Sequence, residues 1–307
     1  MHLNPGWNLI SFNREPNDTT ISCVLSPIDG LYSVVMGYDQ GGLSYYPEIP
    51  DEYNTLKEMD PYHGYWIKTT TTTTLPIGGD KVPVTTPLFL DEGWNLVSYL
   101  PDCSQPLTTA LASIEGQYEA VLGYEQGAMS AYPELPEYMN TLQTLEPQHG
   151  YWIKMKQPGT LTYFPCGGGG LVAGAAMAAN AAQAPAGVTP TNQWVDFYSF
   201  NTTVNGFPIP TGSTVTAYDP DGAKIGECIV KQPGRFGVLS LYGDDPLTQE
   251  DEGAKPGDTI TFYINGQKAT AIGSDGPVWT TFGDLRNVDL TVTYHPVHKV
   301  YLSLILK

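Results

Sequence analysis

An internal duplication constrains the fold of this chain more than any other feature of the sequence. Residues 6–11, GWNLIS, return as residues 93–98, GWNLVS, and residues 63–68, HGYWIK, return unchanged as residues 149–154. The offset between the copies is 87 residues for the first motif and 86 for the second, so one residue is deleted in an early loop. Trp, Gly, Tyr and alternating apolar residues repeat, which is a packing pattern and not a set of catalytic groups. The chain therefore contains two homologous modules.

The composition narrows the class of protein. A chain of 307 residues is long enough for two or three domains. Only 15% of the residues are charged, with 32 acidic against 14 basic side chains, and Tyr, Gly and Pro are plentiful. This balance is typical of a β-rich, turn-rich secreted protein. The net charge of -18 repels nucleic acids and anionic membranes, so we expect neither as a partner.

No apolar run is long enough to predict a membrane span, which needs about 20 residues. Residues 1–12 lack the basic head and apolar stretch of a secretion signal. Either a signal was removed before the numbering begins or the protein is cytosolic. The composition favours the first alternative, and we expect an extracellular or cell-surface location.

Both copies predict the same order of elements. A strand at residues 7–12 or 94–100 precedes a short helix, which Asn17 or Asp18 could cap in copy one and Pro106 could open in copy two. An alternating strand at residues 32–38 or 118–124 leads through a glycine turn and a loop rich in Pro and Tyr to the strand containing GYWIK. A last strand follows at residues 74–77 or 160–164. We place module 1 at residues 1–80 and module 2 at residues 81–165.

The helix prediction depends on an apolar stripe that the two diverged copies share. The stripe has i, i+3, i+4, i+7 spacing in both copies. Its residues are Ile21, Val24, Leu25 and Ile28 in copy one, and Leu107, Ala110, Leu111 and Ile114 in copy two.

The rest of the chain differs in character. Residues 166–192 are rich in Gly, Ala and Pro and predict a linker that decouples the two modules from the domain after it. From residue 193 to 294, strands alternate with turns such as residues 219–222 and 265–266, which predicts an immunoglobulin-like β-sandwich. Residues 295–307 predict an apolar C-terminal strand. The expected fold class is mainly β: two homologous small β-rich modules with one short helix each, followed by an immunoglobulin-like or transthyretin-like β-sandwich.

The four cysteines, Cys23, Cys103, Cys166 and Cys228, allow three fully paired connectivities or a mixture of bonds and free thiols. Their positions are not equivalent in the two copies, so any disulfide is a local addition and not the framework of the fold. The sequence has no CxxC spacing, which argues against a zinc site.

The repeated motifs resemble a known kind of module. The frame of GWNL(I/V)S, a tyrosine-ended strand, a Tyr-Pro and Asn-Thr-Leu loop and GYWIK is similar, over residues 4–165, to the tandem "GWN…GYWI" modules of large secreted and cell-surface proteins of bacteria and archaea. Residues 215–222, 244–246 and 251–260 resemble transthyretin-like or Cna-B-like β-sandwiches of the same kind of protein. Residues 301–307 resemble an apolar tail that closes many such chains, with Ser303 where a proline is usual. The resemblance implies a surface location and a modular role, and it brings no shared catalytic residues.

Two groups of residues are candidate metal ligands. His63 and His149 each follow an acidic residue, Asp60 or Glu146, by three positions, but Pro-x-His-Gly is also an ordinary tight turn into a strand, and we favour the turn. Calcium binds about six to eight oxygens, and one loop of the third domain is dense in carboxylates; the alternative, which we favour, is a solvated loop. The carboxylates are Asp244, Asp245, Glu250, Asp251, Glu252 and Asp258.

Two further groups are candidate binding surfaces. Five tyrosines in proline-spaced loops could stack on sugar rings, although packing over small cores is the favoured alternative: Tyr45, Tyr46, Tyr53, Tyr132 and Tyr138. The C-terminal strand is apolar on both faces, so it either completes a sheet of its own chain or inserts into a neighbouring chain by β-augmentation. Its apolar residues are Val300, Tyr301, Leu302, Leu304, Ile305 and Leu306.

The sequence contains no G-x-S-x-G, HExxH, Walker or dinucleotide-binding motif, so we expect no enzyme and no cofactor beyond the candidate calcium ion. The leading hypothesis is a non-catalytic extracellular structural or adhesive protein. Its expected partners are other copies of itself, joined through the C-terminal strand into a filament or sheath, or other cell-surface components. The alternative is a carbohydrate-binding protein that targets a glycan or a cell surface.

Overall fold

The computed structural model describes residues 1–125, 127–134, 140–167, 185–245 and 248–293. Within them the chain is mainly β, with short strands and two α-helices of four residues each, so the predicted fold class is confirmed. The immunoglobulin-like form of the third domain stays a prediction.

Module 1 is built around a four-stranded antiparallel sheet with the order β2-β6-β4-β5. One short helix and two 3₁₀ turns connect its strands. The elements are β1 (His2–Leu3), β2 (Gly6–Ile10), β3 (Arg14–Glu15), α1 (Ile21–Val24), a 3₁₀ turn (Ser26–Ile28), β4 (Tyr32–Tyr38), β5 (Gly42–Tyr45), a 3₁₀ turn (Asp51–Tyr53), β6 (Tyr65–Thr69), β7 (Thr73–Thr74) and β8 (Asp80–Lys81).

Module 2 repeats this architecture, with the sheet order β10-β15-β12-β13. The register also repeats: Leu9 pairs with Trp66 in module 1, and Leu96 pairs with Trp152 in module 2. The elements are β9 (Leu88–Leu90), β10 (Gly93–Ser98), β11 (Gln105–Pro106), α2 (Leu107–Ala110), a 3₁₀ turn (Ala112–Ile114), β12 (Tyr118–Tyr124), β13 (Ala128–Ala131), β14 (Thr144–Leu145), β15 (Gly150–Met155) and β16 (Gly159–Leu161).

The predicted apolar stripe is buried in both modules, but the α-helix lasts one turn and continues as a 3₁₀ turn. Pro27, which lacks a backbone N–H, accounts for the break in module 1 only. The predicted helix cap is wrong, because Asp18 accepts a hydrogen bond from the Thr20 N–H (2.9 Å) and Thr20 is the N-cap residue without a side-chain bond. Pro106 is the N-cap residue of α2.

Each module buries both faces of its central sheet. One face packs on the module's own helix and loops: Ile67 and Ile153 are both 0% exposed there. The opposite face, which includes Trp66 and Trp152, packs in a core shared by both modules and the third domain. Burial on both faces explains why these strands are apolar on both sides.

The third domain folds around its own core with three small sheets. Two of its strand pairs are parallel, β17 with β26 and β18 with β27. The strands are β17 (Trp194–Tyr198), β18 (Thr203–Val204), β19 (Phe207–Pro208), β20 (Thr214–Tyr218), β21 (Lys224–Ile229), β22 (Leu239–Tyr242), β23 (Thr261–Ile264), β24 (Gln267–Lys268), β25 (Thr270–Ile272), β26 (Leu285–Asn287) and β27 (Asp289–Val292).

The third domain is not decoupled from the modules, so that expectation for residues 166–192 is wrong. Residues 168–184 lie outside the described residues. The end of the predicted linker is buried at Val188, Thr191 and Asn192, and the Thr191 hydroxyl donates to the Gly243 carbonyl (2.7 Å). The physical reason is the shared core, because the outer faces of both sheets need an apolar cover.

The cysteines adopt the mixed arrangement of bonds and free thiols. Cys103 and Cys166 form a disulfide that joins the loop before β11 to the segment after β16, with no counterpart in module 1. Cys23 is an exposed free thiol, and Cys228 is a free thiol whose pKa burial raises to about 12. The disulfide is therefore a local addition to module 2.

Candidate functional site

The GWN motif shapes the entry to the first sheet strand in both modules. Gly6 and Gly93 have φ angles of +91° and +87°, a conformation that favours glycine. The Asn8 side chain then clamps the preceding turn, accepting from the Asn4 N–H (2.9 Å) and donating to the Asn4 carbonyl (2.8 Å). Asn95 makes the same pair of bonds with Asp91. The repeated Gly and Asn are therefore structural.

The side chains of the HGYWIK motif contact different parts of the fold. The Tyr65 hydroxyl accepts from the Asp60 N–H (2.8 Å) and the Tyr151 hydroxyl accepts from the Glu146 N–H (2.7 Å), which fixes the loop before the strand. The Trp lies in the shared core and the Ile in the module's own core. The Lys lies over the Trp of GWN, 5.4 Å from the ring centroid in module 1 and 5.7 Å in module 2.

The two modules meet about a local pseudo-twofold axis. Ile10 bridges His149, and the equivalent Val97 bridges His63. At the axis the glycines of HGYWIK allow backbone contact: a Cβ on Gly150 would lie 2.7 Å from the Ile10 carbonyl oxygen and 3.1 Å from the Gly64 Cα. The glycine of this motif is therefore required by the contact between the two modules.

An aromatic junction joins the three units. The Trp7 and Trp66 centroids are 5.9 Å apart, and the equivalent Trp94 and Trp152 are 6.0 Å apart, both edge-to-face. The third domain inserts Phe282 beside Trp7 (5.7 Å) and Trp66 (5.9 Å). Such ring pairs stabilise by about 0.5–1.5 kcal/mol each beyond their burial. We define the aromatic junction as Trp7, Trp66, Trp94, Trp152, Trp194, Phe282 and Tyr38.

Two buried carboxylates of the third domain anchor it to the modules. Asp196 is 0% exposed and accepts from the Tyr46 hydroxyl of module 1 (2.8 Å) and from the Ser240 hydroxyl (2.6 Å). Burial raises the pKa of the Asp196 carboxyl, although these hydrogen bonds oppose the rise. Asp245 accepts from the Trp94 indole N–H (3.0 Å) and the Lys154 ammonium (2.8 Å) of module 2.

The glycan-binding hypothesis fails at two of its five tyrosines, because Tyr46 and Tyr53 are each 4% exposed and present no free ring face. Tyr53 packs against Phe200 of the third domain, with centroids 5.5 Å apart, and its hydroxyl accepts from Arg235 (2.8 Å). Tyr45 and Tyr132 are partly exposed, and Tyr138 lies outside the described residues. Tyr46 and Tyr53 therefore pack between units, in keeping with the packing alternative that the sequence favoured.

In the described part of the acidic loop, three carboxylates face lysine side chains. Asp245 is turned toward Lys154, and the Lys255 ammonium lies 3.4 Å from Asp244 and 3.5 Å from Asp251. Asp258 accepts from the Lys255 backbone N–H (2.7 Å). Among the described residues, no three His, Cys, Asp or Glu side chains are arranged to hold a metal ion. The calcium hypothesis, which also included Glu250 and Glu252, gains no support from this arrangement.

The predicted self-assembly strand, Val300 to Leu306, lies outside the described residues, so its pairing stays a prediction.

The pseudo-twofold axis creates a pair of related clefts between the modules. Cleft 1, of about 520 Å³, lies between the β4–β5 turn and the loop before β6 of module 1 and residues 86–97 of module 2. Cleft 2, of about 640 Å³, is formed by the equivalent segments with the modules exchanged. Neither cleft could be predicted from one copy alone, because each copy supplies only one wall. The sequence feature that points to both clefts is the duplication.

Cleft 1 contains an Asp–His pair. The His63 Nδ1 lies 2.9 and 3.0 Å from the two carboxylate oxygens of Asp60, and Asp60 also accepts from the Tyr62 N–H (2.8 Å). The predicted tight turn is thus confirmed. Burial lowers the pKa of His63, but the hydrogen bond and charge of Asp60 outweigh it, with Asp39 adding to the effect, and the pKa is raised. At Asp60, burial favours a higher pKa, but the hydrogen bond to His63 outweighs it, and the pKa of Asp60 is lowered.

The equivalent pair in cleft 2 is not formed. His149 Nδ1 lies 3.1 Å from the Pro147 carbonyl oxygen, and Glu146 accepts instead from the hydroxyls of Ser104 and Thr144. The two clefts therefore share a backbone frame and differ in their side-chain chemistry. Clefts with perturbed titratable groups and a largely apolar lining are candidate binding sites, which makes cleft 1 the candidate functional site.

No helix in the described part of the chain is long and apolar enough to cross a membrane. No family model, curated protein or solved structure matches this chain significantly.

Proposed function

We propose that this chain is a non-catalytic structural or adhesive element of an extracellular or cell-surface protein. The observation that carries the proposal is the aromatic junction, which packs two modules and a third domain against one another through residues that the duplication repeats. The residues that both copies of the GWN and HGYWIK motifs share lie in turns, in the module cores and in the aromatic junction. A molecule packed in this way is suited to hold its exposed surfaces at fixed positions relative to one another.

The disulfide supports the location. The disulfide joins Cys103 to Cys166, which are 63 positions apart in the sequence. Disulfides persist in oxidising compartments and are rare in reducing ones. The bond is therefore in keeping with an extracellular protein, as is the low content of charged residues.

The location is tested by immunogold labelling of intact cells that produce the chain. We expect label on the outer surface, removable by protease added outside the cells. Label confined to the cytoplasm of permeabilised cells would contradict the proposal.

Self-assembly through the C-terminal strand is part of the proposed role. Light scattering and negative-stain microscopy of the full chain and of a version that ends at residue 298 test it directly. We expect polymers from the full chain only. Two well-folded monomers would show that the strand does not join chains, and the remaining role would be that of an adhesive element.

A further inference from the structure

Cleft 1 carries aromatic side chains that keep accessible surface. On β9, Leu88 and Leu90 are 5% and 3% exposed and belong to the core of module 2, whereas Phe89 between them is 48% exposed and lines the cleft. Tyr62, on the opposite wall, packs in part against the core of module 2 and donates its hydroxyl to Glu15 (3.1 Å), and it stays partly exposed. Two aromatic side chains therefore stand on facing walls with accessible area, where they can contact an apolar stem.

The same cleft has an unbalanced charge. Among the described residues, its lining includes the carboxylates of Asp39, Asp60 and Asp91 and contains no Lys or Arg. Asp60 is paired with His63, but neither Asp39 nor Asp91 forms an ion pair with any residue in the described ranges. The Asp91 carboxylate accepts one hydrogen bond, from the Gln40 amide (2.7 Å). An anionic ligand would be repelled here, and a cation would be attracted.

Cleft 2 shows that the fold does not need these side chains. At the positions equivalent to Phe89, Asp91 and Tyr62, module 1 has His2 and Asn4 and module 2 has Gln148. Asn4 holds the same backbone clamp with Asn8 that Asp91 holds with Asn95, so the carboxylate adds nothing to that turn. Phe89, Tyr62 and Asp91 are thus specific to cleft 1, whereas Asp39 has an acidic counterpart, Glu125, in cleft 2.

We propose that cleft 1 binds the side chain of a lysine or arginine from a partner polypeptide, with Asp39 and Asp91 facing the cation and Phe89 and Tyr62 covering its methylene stem. A basic side chain combines the two properties that the cleft matches, because its charge sits at the end of an apolar stem. Aromatic rings add cation–π attraction. The net charge of -18 on the whole chain favours the approach of a basic partner. This site stands independently of the structural role, which rests on the aromatic junction.

The test uses the full chain and three small probes: Nα-acetyl-lysine methylamide, Nα-acetyl-arginine methylamide and the uncharged Nα-acetyl-norleucine methylamide. Binding is followed by two-dimensional ¹H–¹⁵N NMR at low ionic strength. We expect the two cationic probes to shift the amide signals of Gln40, Phe89 and Asp91, with an affinity at least tenfold higher than that of norleucine. Added salt should weaken the binding.

The variant that tests the site transplants cleft 2 residues into cleft 1, Phe89→His with Asp91→Asn. We expect it to lose at least tenfold in affinity for the lysine probe, while amide signals away from the cleft stay in place. Asp29→Asn removes one negative charge from an exposed position outside the cleft and should leave affinity unchanged. If the double variant does not fold, Asp39→Asn alone must show the loss.

Three results would overturn the proposal. Equal shifts from the lysine and norleucine probes would show that the charge is not recognised. An unchanged affinity in the folded cleft variants would place any binding elsewhere. Shifts of the same amides by a neutral oligosaccharide such as maltotriose, without any effect of the cationic probes, would assign the cleft to a glycan.

Discussion

At the scale of single residues, the repeated motifs have structural explanations that the sequence could indicate only in kind. Duplication and alternation predicted that Trp, Gly and Tyr pack: Trp94 and Trp152 are buried in the shared core, and Trp7 and Trp66 pack against it while partly exposed. The partners could not be predicted, because they belong to another module or to the third domain. Tyr46 illustrates this: its loop position favoured either sugar stacking or packing on its own core, and it instead bonds Asp196, 150 residues away.

Removing the Tyr46 hydroxyl tests this contact. Tyr46→Phe removes one of the donors to the buried Asp196 carboxylate, so we expect the free energy of unfolding to fall by about 1–3 kcal/mol. Tyr132→Phe is the matched control, since Tyr132 is the equivalent residue and is only partly buried, and it should change stability by less than about 0.5 kcal/mol. Urea unfolding measures both, and equal effects of the two variants would refute the assignment.

The Asp60–His63 pair gives a pH-dependent contribution to stability. The pKa of His63 is raised from 6.5, so its contribution is fully present below pH 6.5 and is lost as the pH rises through the folded-state pKa. The pKa of Asp60 is lowered from 3.8, so its contribution is present above pH 3.8 and is lost as the pH falls through its folded-state pKa. The pair therefore stabilises the fold most between these two values.

An NMR titration of the His63 Hε1 proton checks this electrostatic account. In Asp60→Asn the charge and the strongest acceptor are removed, so the pKa of His63 should fall below that of the wild-type protein. A titration curve unchanged by the substitution would mean that Asp60 does not set the protonation of His63.

At the scale of elements, alternation predicted the long strands and the shared stripe predicted which positions are buried, but each α-helix has only four residues, and the strand predicted at residues 74–77 is Thr73–Thr74. The strands Tyr32–Tyr38 and Tyr118–Tyr124 have the predicted bounds. Short strands such as Thr203–Val204 were missed, because a strand of two residues is too short to show an alternating pattern of apolar and polar residues. The two clefts were missed for a different reason: they are formed between copies, and no pattern within one copy encodes their geometry.

Close contact between the two HGYWIK turns can be tested with one methyl group. Gly150→Ala places a Cβ 2.7 Å from the Ile10 carbonyl oxygen, so the two sheets must separate locally, and we expect a loss of about 1–3 kcal/mol. Gly78→Ala is the control, because nothing lies within 4 Å of its Cβ position and its φ is not positive. Thermal unfolding that is equally affected, or unaffected, by both substitutions would contradict the contact.

At the scale of the whole molecule, the main difference from expectation is the relation of the third domain to the modules. Composition alone predicted a decoupling linker, since Gly and Ala do not reveal how the domains on either side pack. The sheet faces that point away from the module cores indicate this packing. Trp66 and Trp152 lie on these faces, and such large apolar side chains need a cover that the module cores, which are already filled, do not provide. Phe282 of the third domain covers the first of these tryptophans, with centroids 5.9 Å apart.

The shared core makes stability a property of all three units together. Phe282→Ala removes a ring that contacts Trp7, Trp66 and Trp194, so we expect a loss of about 3 kcal/mol that is felt in both the modules and the third domain.

Hydrogen exchange with mass spectrometry across a urea gradient, for the wild-type chain and for Phe282→Ala, tests directly whether the aromatic junction holds the three units together. We expect peptides from both modules and from the third domain to lose protection at one urea concentration, and the variant to lower this midpoint for all of them. Separate midpoints for the modules and the third domain, with Phe282→Ala shifting only the third domain, would show that the aromatic junction does not hold the three units as one body.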